Sequence, residues 1–132
     1  MVLASLAQLF MSMVKEILTG LPVMVGVIFI VFGFILKKRP PRSVNHLYGY
    51  RTPRSMKNET NWAFSQLYAA NEMLQLGFIL LPIGVVMAFL SIESEFSEAM
   101  ISIGVLLVLV IRLFIRTERA IKRNEELNHT KG

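Results

Sequence analysis

An all-α membrane protein with three spans is the fold this sequence predicts, and three observations predict it. The 132 residues are 54% hydrophobic and only 17% charged, where a soluble domain carries about a quarter charged. The apolar residues are gathered in three long runs, the first two uncharged and the third with Arg112 near its end. The other basic residues flank those runs instead of interrupting them, which is how a chain is written for lipid.

The first run, Ile17 to Leu36, reads "ILTGLPVMVGVIFIVFGFIL". Twenty residues at about 1.5 Å each reach across the hydrocarbon of a bilayer. Pro22 falls in its first turns, where a missing N–H does little harm. The second run, Met73 to Ile92, is also uncharged, and its Pro82 predicts a kink. The third, Ala99 to Ile115, carries Arg112 near its end, placed to snorkel to the head groups. The acidic stretch "ESEFSE", with Glu93, Glu95 and Glu98, turns runs two and three into a hairpin.

Ahead of the first run, Val2, Leu3, Leu6, Leu9, Phe10, Met13 and Ile17 recur at helical spacing. They suggest an amphipathic interfacial helix ending near Thr19-Gly20. The alternative is one long helix over 2–36. Without a basic start or a small-residue cleavage site, a removed signal peptide is not expected.

The expected layout is a single membrane domain over 1–132. It comprises an interfacial helix at 2–16, a first span at 17–36 and a basic loop at 37–60. An amphipathic entry with the second span follows at 61–92, then an acidic loop at 93–98, a third span at 99–115 and a basic tail at 116–132. Of the 14 basic residues, all but Lys15 fall in the 37–72 connection or from 112 onward. The excess of Lys and Arg puts both in the cytoplasm, and three spans place them on one side. The N-terminus and the acidic loop then face outward.

Much chemistry is excluded. The chain has no cysteine and two distant histidines, His46 and His129, so neither a disulfide nor a metal site is expected. No nucleophile elbow, paired acids, phosphate loop or dinucleotide fingerprint is present. No cofactor, no enzyme activity and no direct nucleic-acid binding are expected. The net charge of +5 points instead to anionic lipid head groups. "NET" and "NHT" match a glycosylation pattern but fall on the cytoplasmic side.

The informative stretch is the basic loop. "KKRPPRS" stops the first helix and anchors it to lipid. In "NHLYGYRT", Gly49 between Tyr48 and Tyr50 suggests a turn or a close approach. Thr52-Pro53 reads as a helix cap with Pro in the first position, and Asn58 as a second cap followed by Glu59. Arg51, Arg54 and Lys57 beside helix starts suit an anion, either a lipid head group or an acidic partner. Beyond the loop, Asn61, Ser65, Tyr68, Glu72 and Gln75 make a polar stripe on one helix face. Glu72 and Gln75 match Arg112 in depth, so an intramembrane polar cluster of these three is expected, with Arg51 and Arg54 as alternative partners. Arg112, Arg116, Arg119 and Arg123 form a basic stripe, with Glu118, Glu125 and Glu126 off it. Gly26 and Gly33, Gly77 and Gly84, and Gly84-x-x-x-Ala88 are small-residue pairs for helix packing; a homo-oligomer is compatible with them but not required.

Asn45, Gly49, Arg51, Thr52, Ser55, Asn58 and Trp62, in that order and followed by a span, resemble the signature of the SdpI/YfhL family of small bacterial membrane proteins. The resemblance covers roughly residues 20–115. Where many relatives carry a His-Arg pair after the Trp, this chain has Gln66-Leu67. The resemblance implies toxin immunity and signalling. The family's namesake, a longer protein, protects its producer from a secreted peptide toxin and draws a transcriptional repressor to the membrane. The expected partners are thus a peptide toxin or a cytoplasmic transcriptional regulator, met through Asn45, Gly49, Arg51, Thr52, Arg54, Ser55, Asn58 and Trp62. An oligomeric transporter or channel component, or a scaffold binding anionic lipid, are the alternatives.

Overall fold

The computed structural model describes residues 2–90 and 95–130. Its elements are α1 (Val2–Lys38), α2 (Glu59–Phe89) and α3 (Glu95–His129). The chain is all-helical over the described residues, and each helix contains a stretch long and apolar enough to cross a membrane: Gly20–Lys38, Glu59–Phe89 and Phe96–His129. Only about 22%, 33% and 22% of the most apolar windows are buried. Most of the apolar side chains therefore point outward, which water would penalise and lipid does not.

The apolar N-terminal helix is present as the first part of α1, Val2–Val14. It does not end at Thr19-Gly20: the backbone takes the alternative course, continuous from Val2 to Lys38. One glycine costs a helix about 1 kcal/mol, whereas freeing backbone groups in lipid costs several kcal/mol for each. The expected acidic loop lies partly outside the described residues. Its second half opens α3, where Glu98 occupies the first turn and is buried; acidic side chains suit a helix N-terminus.

α1 and α2 pack antiparallel through glycine. A Cβ on Gly77 would lie 2.5 Å from Ile30 Cγ1 and 2.7 Å from the Gly26 carbonyl oxygen. One on Gly33 would stand 3.0 Å from the Ala70 carbonyl oxygen, and one on Gly84 would stand 2.9 Å from the Val23 amide nitrogen. All four expected glycines thus lie in this one intramolecular seam. Ala88 is exposed and takes no part. α3 lies antiparallel to α2, with Glu72 beside Arg116 and Asn61 beside Glu125. The α1–α2 connection, the start of α2 and the end of α3 therefore meet at one end of the molecule.

Candidate functional site

That meeting place is a headpiece in which the loop is folded residue by residue. It begins at Trp62, fully buried, whose Nε1–H donates to the Pro41 carbonyl at 2.9 Å and ties the entry strand to α2. Asn45 Oδ1 accepts from the amides of Leu47 and Tyr48 at 3.0 and 3.2 Å, an Asx turn. Gly49 follows with φ 111°, the one positive value among the described residues.

The turn at Gly49 delivers Tyr50 to Gln66. The Tyr50 amide donates to Gln66 Oε1 at 2.7 Å, and Gln66 Nε2 donates to the Tyr50 carbonyl at 2.9 Å. One buried side-chain amide thus satisfies both backbone groups of one residue, as a neighbouring strand would. Gln66 is thus the loop's internal brace.

Thr52 and Ser55 cap each other. The Thr52 amide donates to Ser55 Oγ at 2.8 Å and the Ser55 amide to Thr52 Oγ1 at 3.1 Å. This is the reciprocal logic of a capping box, with Pro53 in the first position. It supports a single helical turn, after which Asn58 caps α2 by accepting from the Asn61 amide at 2.8 Å.

Two carboxylates of α3, seven residues apart and so on one face, clamp this loop. Glu118 Oε1 accepts from Thr52 Oγ1 at 2.7 Å and from the Tyr50 hydroxyl at 3.1 Å, while Oε2 pairs with Arg54 Nε at 3.4 Å. Glu125 accepts from Asn61 Nδ2 at 2.8 Å and pairs with Lys57 at 3.2 Å and Arg54 at 3.4 Å. Burial first, and the Glu118 charge second, push the Tyr50 phenol well above its usual value, so it remains a donor.

The Asn61 hydrogen bond, then Lys57, hold the Glu125 carboxyl below its ordinary 4.5. A lowered folded-state value gives stabilisation that is present above the ordinary value and lost as pH falls through the folded one. Below pH 4.5 the clamp should therefore loosen. The chain's single tryptophan, Trp62, reports it: emission should shift to the red on acidification. In E125Q that part of the shift should vanish. Identical profiles for the two proteins would contradict the assignment.

Of the expected polar cluster, Glu72 and Arg112 come together, Gln75 stays outside and Arg116 joins. Glu72, nearly fully buried, pairs with Arg116 Nε at 3.1 Å and stands 3.9 Å from Arg112 Nη1. The Arg112 contact lies beyond hydrogen-bonding distance, and Arg112 Nη1 and Glu72 Oε2 both lack a hydrogen-bond partner. Gln75 is exposed. Glu72 thus meets Arg112, as expected, and also Arg116, one turn further out, which stands closer. Arg54 is spent on Glu118 and Glu125. Arg51 is exposed, and its guanidinium donates to the His46 carbonyl.

The motif residues are thus brought together, and most of them build the loop. Gln66, Glu118 and Glu125 were not among the expected site residues, and Asn61 was expected only as part of the polar stripe. Glu118 and Glu125 share a helix face by their seven-residue spacing, but that spacing alone does not name Arg54 and Lys57 as their partners.

The model of the SdpI/YfhL protein family matches residues 42–117, which take in most of the loop, α2 and α3 up to the residue before Glu118. The chain belongs to that family. A similar protein, described as "Uncharacterized protein YfhL" from Bacillus subtilis (strain 168), is 36% identical over 62 residues. The match covers 47% of this chain and 56% of that relative, so the chain spans about half of the length of the relative it matches. No solved structure matches the chain. It is an SdpI-family membrane protein with several spans, and an immunity-type role is consistent with that family.

Proposed function

We propose that this SdpI-family protein works by binding, in immunity or signalling, and that its headpiece is a ready-made docking surface for a peptide toxin or a cytoplasmic regulator. One observation carries the reading: the signature loop is clamped to α3 by Glu118 and Glu125, so a partner meets a formed surface. The signature residues Asn45, Gly49, Thr52, Ser55, Asn58 and Trp62 hold that surface in shape. Arg51, exposed on it, is the contact residue. The charge distribution supports a cytoplasmic headpiece and an outer N-terminus.

The test is survival of toxin-sensitive cells expressing the chain during exposure to the secreted peptide toxin. R51A should lose protection at an unchanged protein level. Full protection by R51A would sink the reading. Orientation is checked in the same cells with L47C, at an 87% exposed position in a chain without cysteine. A membrane-impermeant maleimide should label it only after permeabilisation.

An oligomeric transporter is favoured by a separate observation, the buried Glu72 against Arg112 and Arg116. Ionisable groups at membrane depth commonly line solute paths. Solute flux into proteoliposomes, abolished by E72Q, would select it.

A further inference from the structure

On the face of the headpiece away from the clamped loop, α2 and α3 leave a groove. Its outer part is a cavity of about 370 Å³ lined by Phe64, Tyr68, Arg116, Arg119, Arg123 and Leu127. A second, inner cavity of about 510 Å³ is lined by Tyr68 and Arg116 again, with Lys37, Leu74, Phe78 and Glu72, whose carboxylate is held by Arg116. The two cavities share Tyr68 and Arg116 and so lie next to each other along the α2–α3 face. This face runs from basic side chains just beyond the third apolar run to a mixed polar and apolar lining, with Leu74 and Phe78, at the depth of the second. We propose that it is a binding site for one anionic phospholipid from the surrounding bilayer.

The charges argue for an anion. Arg116 is engaged by Glu72 at 3.1 Å, and the nearby acids are committed elsewhere: Glu118 and Glu125 to the loop, Glu126 to Lys122 at 4.0 Å. Arg119 and Arg123 have no carboxylate partner among the described residues. Their planar guanidiniums suit a phosphate bidentately. The stacked rings of Phe64 and Tyr68, 5.8 Å apart, form an apolar wall beside them.

The inner cavity argues for a lipid as the source of that phosphate. A free phosphate would fill the arginine end alone. A phospholipid also extends past Tyr68 to Leu74 and to Phe78, which is 59% exposed, and Lys37 closes the far side at the end of α1. This inference rests on the membrane fold and not on the proposed docking role of the loop.

Native mass spectrometry of the full chain, extracted from bilayers of mixed phosphatidylglycerol and phosphatidylcholine, tests it. The wild type should retain one phosphatidylglycerol in preference to phosphatidylcholine, also in excess inorganic phosphate. R119Q/R123Q should retain roughly tenfold less, the loss of a strong charge-assisted contact. R39Q/R42Q, which removes the same charge from the basic segment after α1, should keep most of the wild type's retention. Neither Arg119 nor Arg123 makes an ion pair whose loss would disturb folding. Equal retention in the two double variants, equal retention of the two lipids, or displacement by inorganic phosphate would each overturn the proposal.

Discussion

Gly49→Ala should release the signature loop while leaving the three spans intact. A Cβ at Gly49 would lie 2.4 Å from Gln66 Oε1 and 3.2 Å from Pro41 Cγ. The Gln66 oxygen is no free end able to swing aside. It holds the Tyr50 amide at 2.7 Å, and its partner nitrogen holds the Tyr50 carbonyl. The new methyl group therefore displaces the brace. The backbone adds its own penalty, because φ 111° lies where side-chain-bearing residues are strained by about 1–3 kcal/mol. A buried amide left without its acceptor costs about 1–3 kcal/mol more. The sum, on the order of 4 kcal/mol, exceeds what holds most loops in place. Limited proteolysis of reconstituted protein should cut G49A between α1 and α2 many times faster than wild type, with helical circular dichroism unchanged. An unchanged cutting rate would show that Gln66 yields and that the brace is not what orders the loop.

Trp62→Ala should be the more damaging change, because it acts on packing and hydrogen bonding together. Trp62 is fully buried, and truncating a buried Trp to Ala costs about 3–5 kcal/mol. The Pro41 carbonyl loses its donor as well. Pro40 and Pro41 have no N–H of their own, so the entry strand has few other ways to attach itself. Detachment here should propagate to Tyr50 and Thr52, whose places depend on the chain's course from Pro41. W62A should thus lose thermal stability by several kcal/mol and lose toxin protection through reduced protein level, unlike R51A, which should lose protection at normal level. A W62A protein that accumulates and melts as wild type would place the anchor elsewhere.

The spans were legible in the sequence because lipid imposes a crude, strong requirement: long apolar runs edged with positive charge. The glycine seam was legible too, since Gly26, Gly33, Gly77 and Gly84 repeat at helical spacing. Local caps could be read at Thr52 and Asn58, where the chemistry is contained within a few residues. The clamp could not be read in the same way. Glu118 and Glu125 act on residues more than sixty positions earlier, and nothing local distinguishes them from acids on a solvated helix. Gln66 was visible only as a departure from the family signature, and its meaning needed the φ of Gly49 beside it. Matched depth was enough to pair Arg112 with Glu72, but the closer partner, Arg116, lies one helical turn away, finer than hydropathy resolves. The continuity of α1 through Thr19-Gly20 follows from the high cost of open backbone in lipid, which outweighs a weak local break.

The signature loop is a folded body fastened to α3, formed before any partner arrives. Hydrogen exchange of the full chain in lipid nanodiscs measures this directly at the amides of Tyr50, Thr52 and Ser55. All three are hydrogen-bonded to side chains inside the headpiece. They should exchange nearly as slowly as amides in the first turns of α2, and E118Q/E125Q should accelerate them while sparing the Gly77 region. Exchange at the rate of an open chain in the wild type would contradict the account.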